Sequence, residues 1–120
     1  MGACIALGVA SLAIALLLGS AALAQTPSAP TSTVVTINTA NKFQQVLASS
    51  GTARRMLRIS NNNANRDSCW VFVGSGQASK EGSYAVLPGK AYLRYPPFVS
   101  SDAIQATCAS GSDTLDVEYQ

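Results

Sequence analysis

Between Thr33 and Tyr119 the chain alternates short β-prone runs with clusters of turn-forming residues, and no stretch of it sustains an eleven-residue helical period. The punctuation is Ser50-Gly51, Asn61–Asp67, Gly74–Ser83, Pro88-Gly89, Pro96-Pro97 and Ala109–Asp113. Between these lie Thr33–Asn38, Phe43–Ala48, Met56–Asn61, Cys69–Gly74, Ser83–Leu87, Ala91–Tyr95, Ala103–Cys108 and Thr114–Tyr119. Strands joined without intervening helices must pair antiparallel. The expectation is therefore an all-β domain: an antiparallel β-sandwich, Ig-like or jelly-roll-like, of seven to eight short strands.

The first 24 residues belong to a different regime. They hold none of the chain's eight basic and six acidic residues, and Ile5–Leu18 is an apolar run broken only by Gly8 and Ser11. Ala22 and Ala24 form the small-x-small pattern that a signal peptidase reads. Residues 1–24 are thus expected to be a signal peptide cleaved between Ala24 and Gln25. No basic residue precedes the apolar run, which a start further upstream would explain. An uncleaved anchor is the competing reading, but no basic stop-transfer cluster follows, and Gln25–Asn41 is uncharged. Cys4 lies before the apolar run, where it is badly placed for lipid attachment. Residues 25–32, QTPSAPTS, read as a flexible linker, with the sandwich domain over 33–120. The expected location is secreted or periplasmic, with no membrane span left after cleavage.

Export bears on the cysteines. Cleavage removes Cys4 and leaves Cys69 and Cys108, an even pair in an oxidising compartment. A disulfide between them closes a loop of about 40 residues, worth roughly 4 kcal/mol on the chain-entropy view. The pair also phases two strands. In Ala103–Cys108 the apolar face is Ile104, Ala106 and Cys108, so Cys108 points inward. Cys69 must then point inward with Val71 and Val73, which leaves Trp70 and Phe72 on the opposite face. By the same alternation Leu57 and Ile59 go in with Arg58 out, and Leu115, Val117 and Tyr119 go in. Ala91, Leu93 and Tyr95 are expected inside, with Lys90, Tyr92 and Arg94 outside.

Composition excludes several chemistries. The chain has no histidine, so His-based triads and His-ligated zinc are absent. Net charge is +2 with both signs mixed, which argues against nucleic-acid binding. Glycosidases need two carboxylates facing across a cleft about 5 to 9 Å wide. Asp116 and Glu118 share one strand face and cannot flank a bond. Asp113, Asp116 and Glu118 match no calcium-loop spacing. Gly74-Ser75-Gly76 with Lys80 lacks the ending of a phosphate loop, and Ser79-Lys80 on an exposed loop has nothing to lower the lysine pKa. No cofactor, metal or enzymatic activity is expected.

What rises above background is the outward aromatic and cationic set: Trp70, Phe72, Tyr92, Arg94, Lys90 and Arg58. Exposed aromatic and arginine side chains anchor interfaces and stack on sugar rings, and Arg58, Lys90 and Arg94 could meet anionic envelope glycans or phosphates. Two bland readings stand beside this one. Trp70 and Phe72 could lie buried under Phe43–Ala48 or the 74–83 loop, or an oligomer could cover both sheets. The functional expectation is a non-catalytic binding or structural domain of the cell envelope, meeting an envelope glycan or another envelope protein. The alternative is a proteinaceous inhibitor of a periplasmic or secreted hydrolase, acting through Gly74–Ser83 or Arg94–Ser101.

Arg55–Asn61 (RMLRISN), a strand ending in glycine and then Leu87-Pro88-Gly89 together resemble small β-sandwich modules of phage virion-associated proteins. Arg94–Pro96, Ser101–Cys108 and Ser112–Leu115 are similar to small exported bacterial β-sandwich proteins of unknown function. The likeness spans about residues 43–119. It implies a fold and, through the leader and the cysteine pair, an envelope location.

Overall fold

Each of the eight β-prone runs forms a strand in the computed structural model, which describes residues 28–62 and 64–120. They are β1 (Thr31–Thr36), β2 (Gln44–Leu47), β3 (Leu57–Asn61), β4 (Cys69–Val73), β5 (Tyr84–Val86), β6 (Ala91–Arg94), β7 (Ile104–Cys108) and β8 (Thr114–Tyr119). No helix occurs among the described residues. β1 begins two residues before the boundary expected at Thr33, because Thr31 and Ser32 pair with Tyr119 and Glu118. The expected leader and the cleavage between Ala24 and Gln25 lie outside the described residues.

The strands form two four-stranded antiparallel sheets, β1-β8-β3-β6 and β2-β7-β4-β5. The pairs β1·β8, β2·β7, β3·β6 and β4·β5 match each strand with its mirror in the other half of the chain. This is one long antiparallel ribbon. Rolling it up creates two further ladders, β3·β8 and β4·β7. The arrangement is that of an eight-stranded jelly roll, and it sets aside the Ig-like alternative.

Between the sheets lies a core that includes Leu57, Ile59, Val71, Ile104, Leu115 and Val117, all at zero exposure. Each such side chain stabilises the fold by about 1.5–3 kcal/mol through burial. The two-residue alternation assigns these faces correctly wherever a strand is flanked on both sides. Cys69 and Cys108 sit directly opposite each other on the inner face and form the expected disulfide.

Asn61 ends β3 and is buried. Its Nδ2 donates to the Val86 carbonyl at 2.8 Å and the Asp67 carbonyl at 2.9 Å, and its Oδ1 accepts from Asn65 Nδ2 at 2.6 Å. Its backbone NH donates to Lys90 O, and its carbonyl accepts from Gly89 N. One residue thus ties β3, through its side chain, to the end of β5 and, through its backbone, to the turn that carries the chain from β5 across to β6. In that turn Lys90 N donates to Leu87 O at 2.9 Å, with Pro88 first and Gly89 second of the central pair. Gly89 has φ of 71°, as the second central position of a type II turn requires. The crossing brings the edge strands β5 and β6 of the two sheets side by side.

Candidate functional site

At this β5–β6 edge the mouth of the sandwich forms a groove of about 480 Å³ lined by Val73, Tyr84, Tyr92, Arg94 and Phe98. Register explains how four of them meet. Tyr84 pairs with inward-facing Val71, Tyr92 with Ile59, and Arg94 with Leu57, so all three lie on core-facing sides. Val73 continues the inner face of β4. Phe98, from the β6–β7 connection, is 77% exposed and closes the outer end.

This corrects the phase expected for β6. Tyr92 is buried, while Ala91, Leu93 and Tyr95 are exposed. The strand carries apolar side chains on both faces, so alternation alone does not choose between them. Pairing with β3 decides, because cross-strand partners share a face. Tyr92 thus places an aromatic side chain in the core where Leu93 was expected.

The Tyr84 and Tyr92 ring centroids are 4.8 Å apart, tilted by 41°. The Arg94 guanidinium lies over both, 4.7 Å from Tyr92 and 5.1 Å from Tyr84. Stacking of this kind attracts a cation to the ring face. Hydrogen bonding to the Tyr84 hydroxyl, then the pull of Tyr92, push the Arg94 pKa above its ordinary value. Burial pushes the Tyr92 hydroxyl up, against the opposing effect of Arg94. Among the described residues no carboxylate pairs with Arg94; the Arg58–Glu118 ion pair, at 3.3 Å, lies on the outer face of the β3·β8 ladder. The arrangement is a fixed cation in an aromatic mouth. It can hold an anionic or flat partner and contains no nucleophile with an adjacent base.

The other expected site residues are dispersed. Trp70 and Phe72 do lie on the face away from the disulfide, opposite Thr107 and Gln105. Both are half-buried. The 74–83 loop folds back over them: Lys80 Nζ sits 3.9 Å from the centre of the Trp70 ring, and Gly82 packs near Phe72. Lys80 also donates to Asn41 Oδ1, which pins the loop to the β1–β2 connection. Lys90 is exposed at the start of β6, outside the groove lining. Arg58 is occupied by Glu118. Of the six, the structure unites only Tyr92 and Arg94, and adds Tyr84, Phe98 and Val73.

Sequence reasoning also missed Arg54. Its guanidinium is buried and donates to Ser100 O at 2.6 Å, Asp102 O at 2.8 Å and Ala48 O at 2.5 Å. Burial pulls its pKa down, and Asp102 partly offsets this. The residue anchors the far end of the connection that carries Phe98. The Arg54-Arg55 pair just before a strand was the available signal, but nothing local distinguishes which arginine turns inward.

Near the disulfide, Asp113 offers a carboxylate oxygen within 4.8 Å of both sulfurs. The sulfurs are bonded to each other, so this cluster reduces to one carboxylate and is no ligand set for a cation. Burial, with Asp67 adding to it, raises the Asp113 pKa. Comparison with protein-family models, curated proteins and solved structures found no match to this chain.

Proposed function

We propose that this protein is a non-catalytic binding domain of the cell envelope, and that its ligand enters the groove between β5 and β6. The observation that carries the reading is Arg94, stacked on Tyr84 and Tyr92 in the mouth of the sandwich with no acidic partner among the described residues. An arginine held in place by rings and left without a counter-charge is pre-organised for a ligand, since little side-chain freedom remains to be lost on binding. The apolar leader, the uncharged tether and the paired cysteines support an exported setting. The Trp70 face suits a ligand less, because the 74–83 loop already covers it.

Amide chemical shifts of ¹⁵N-labelled protein, followed while fractions of envelope glycan, lipid and protein are added, test this reading. Shifts centred on Tyr84, Arg94 and Phe98, abolished by Arg94→Gln, are expected. Shifts confined to the 74–83 loop or to the Arg58–Glu118 face would overturn it.

A second reading, inhibition of a hydrolase, rests on the Arg94–Ser101 connection, where Phe98 is 77% and Tyr95 58% exposed. A hydrolase captured stoichiometrically, and released by Phe98→Ala but not by Arg94→Gln, would favour it over the first.

A further inference from the structure

The lining of the groove restricts the class of ligand. Arg94 is its one charged side chain, and Val73, Tyr84, Tyr92 and Phe98 make up the rest. Among these side chains no amide or carboxylate accepts a hydrogen bond; the acceptors are two phenol oxygens. A sugar presents hydroxyls in many directions, and each hydroxyl taken from water without a new partner opposes binding. A flat apolar body meets no such penalty here. It gains from Phe98, whose ring is largely free, and from ring edges that prefer offset or tilted contacts. Tyr84 and Tyr92 are too close and too tilted to admit a slab between them, so the contact is on their open side next to Phe98. Arg94 then supplies a planar fork for a carboxylate. One of its terminal nitrogens donates to Leu93 O at 3.3 Å, and the N–H groups not engaged there or by the Tyr84 and Tyr92 hydroxyls remain for the ligand. The groove volume, about 480 Å³, falls in the range of sites for single small organic molecules.

We infer that the ligand is a small organic carboxylate with a flat apolar body, of the aromatic-acid class, seated with its carboxylate on Arg94 and its ring against Phe98. This rests on the groove being the binding site, as proposed above. It narrows the envelope-glycan expectation by excluding neutral sugars and disfavouring sugar acids.

The test uses three probes on the purified chain: 2-naphthoate, its neutral counterpart 2-naphthylmethanol, and glucuronate. Titration calorimetry gives affinities, and amide shifts locate the site. The expected result is that 2-naphthoate binds with one-to-one stoichiometry, at least about tenfold tighter than either other probe, and shifts Tyr84, Arg94 and Phe98. Arg94→Gln should weaken 2-naphthoate on the order of ten- to a hundredfold and leave 2-naphthylmethanol within a few-fold, as loss of a charge-assisted bond implies. Phe98→Ala, at a side chain the core does not need, should weaken both aromatic probes. Should Arg94→Gln not fold, the comparison of charged with neutral probe and the Phe98→Ala variant still decide. Equal binding of 2-naphthylmethanol, or glucuronate binding as tightly as 2-naphthoate, would overturn the ligand class. If no probe binds while an envelope fraction still shifts the groove residues, the class fails and the binding reading stands. If nothing shifts them, both fall.

Discussion

Cys69 faces Cys108 directly across the β4·β7 ladder, one of the two ladders that exist only once the ribbon has rolled up. The other, β3·β8, carries Arg58 opposite Glu118 at the corresponding role on its own sheet. The two pairs differ greatly in strength. An exposed ion pair contributes about 0–1 kcal/mol, whereas a disulfide separated by 39 residues contributes roughly 4 kcal/mol on the chain-entropy view. Of these two cross-ladder ties, the covalent bridge is therefore the stronger, acting beside the apolar core between the sheets. The double variant Cys69→Ala/Cys108→Ala should lose about 3–5 kcal/mol in urea unfolding. Glu118→Gln should change stability by less than about 1 kcal/mol. A double alanine variant as stable as the parent would refute this account.

Arg54 is expected to behave as a structural cation. Its loss removes the donor for three carbonyls in the two connections it joins. Arg54→Ala should destabilise by about 2–4 kcal/mol in chemical denaturation. Arg54→Lys should recover only part of this, because a single ammonium does not reproduce the guanidinium fork. In a ligand titration Arg54→Lys should also weaken binding modestly, since Phe98 sits on the connection that Arg54 anchors.

Thr107 offers a prediction of opposite sign. It is fully buried, and its hydroxyl has no hydrogen-bond partner. A buried hydroxyl left unpaired opposes folding, and valine has nearly the same shape. Thr107→Val should raise stability by about 1 kcal/mol, seen as a higher Tm with an unchanged unfolding slope. A clear loss of stability would mean that the hydroxyl is satisfied.

Stability should also respond to pH through Asp113. Its pKa in the folded state is raised by burial, with Asp67 reinforcing the effect. The folded protein then binds this proton more tightly than the unfolded chain does. The contribution to stability is full below the ordinary carboxylate pKa and is lost as pH rises through the higher folded value. Asp113→Asn should therefore be more stable than the parent at pH 7, with the gap closing as pH falls through the raised folded value toward the ordinary 3.8. Thermal melts of both proteins across this range check the sign.

The contact of Lys80 with Trp70 gives an optical readout, because Trp70 is the only tryptophan. Lys80→Gln removes a cation from the ring and loosens the 74–83 loop. Acrylamide quenching of Trp70 emission should increase, with a stability loss of about 0.5–1 kcal/mol. Unchanged quenching would show that the loop stays closed without the contact.

What the residues determine locally is the set of strands. All eight β-prone runs became strands, with no end shifted by more than two residues, because turn chemistry and two-residue alternation act over a few neighbours. The cysteine pairing was legible for a different reason: in the expected mature chain only two thiols remain, and both fall on apolar faces. Sheet order, by contrast, is a property of the rolled ribbon, and neither β3·β8 nor β4·β7 can be read from neighbouring residues. Ala91–Arg94 shows the consequence. Its alternation favoured Leu93 inside, yet pairing with β3 placed Tyr92 there, and that reversal assembled the groove. Phe98 joined the groove through a connection held by the buried Arg54, whose direction no local pattern encodes. Periodicity reports which residues share a side of a strand. Which side is buried, and what lies across from it, is decided by long-range pairing when both sides are comparably apolar.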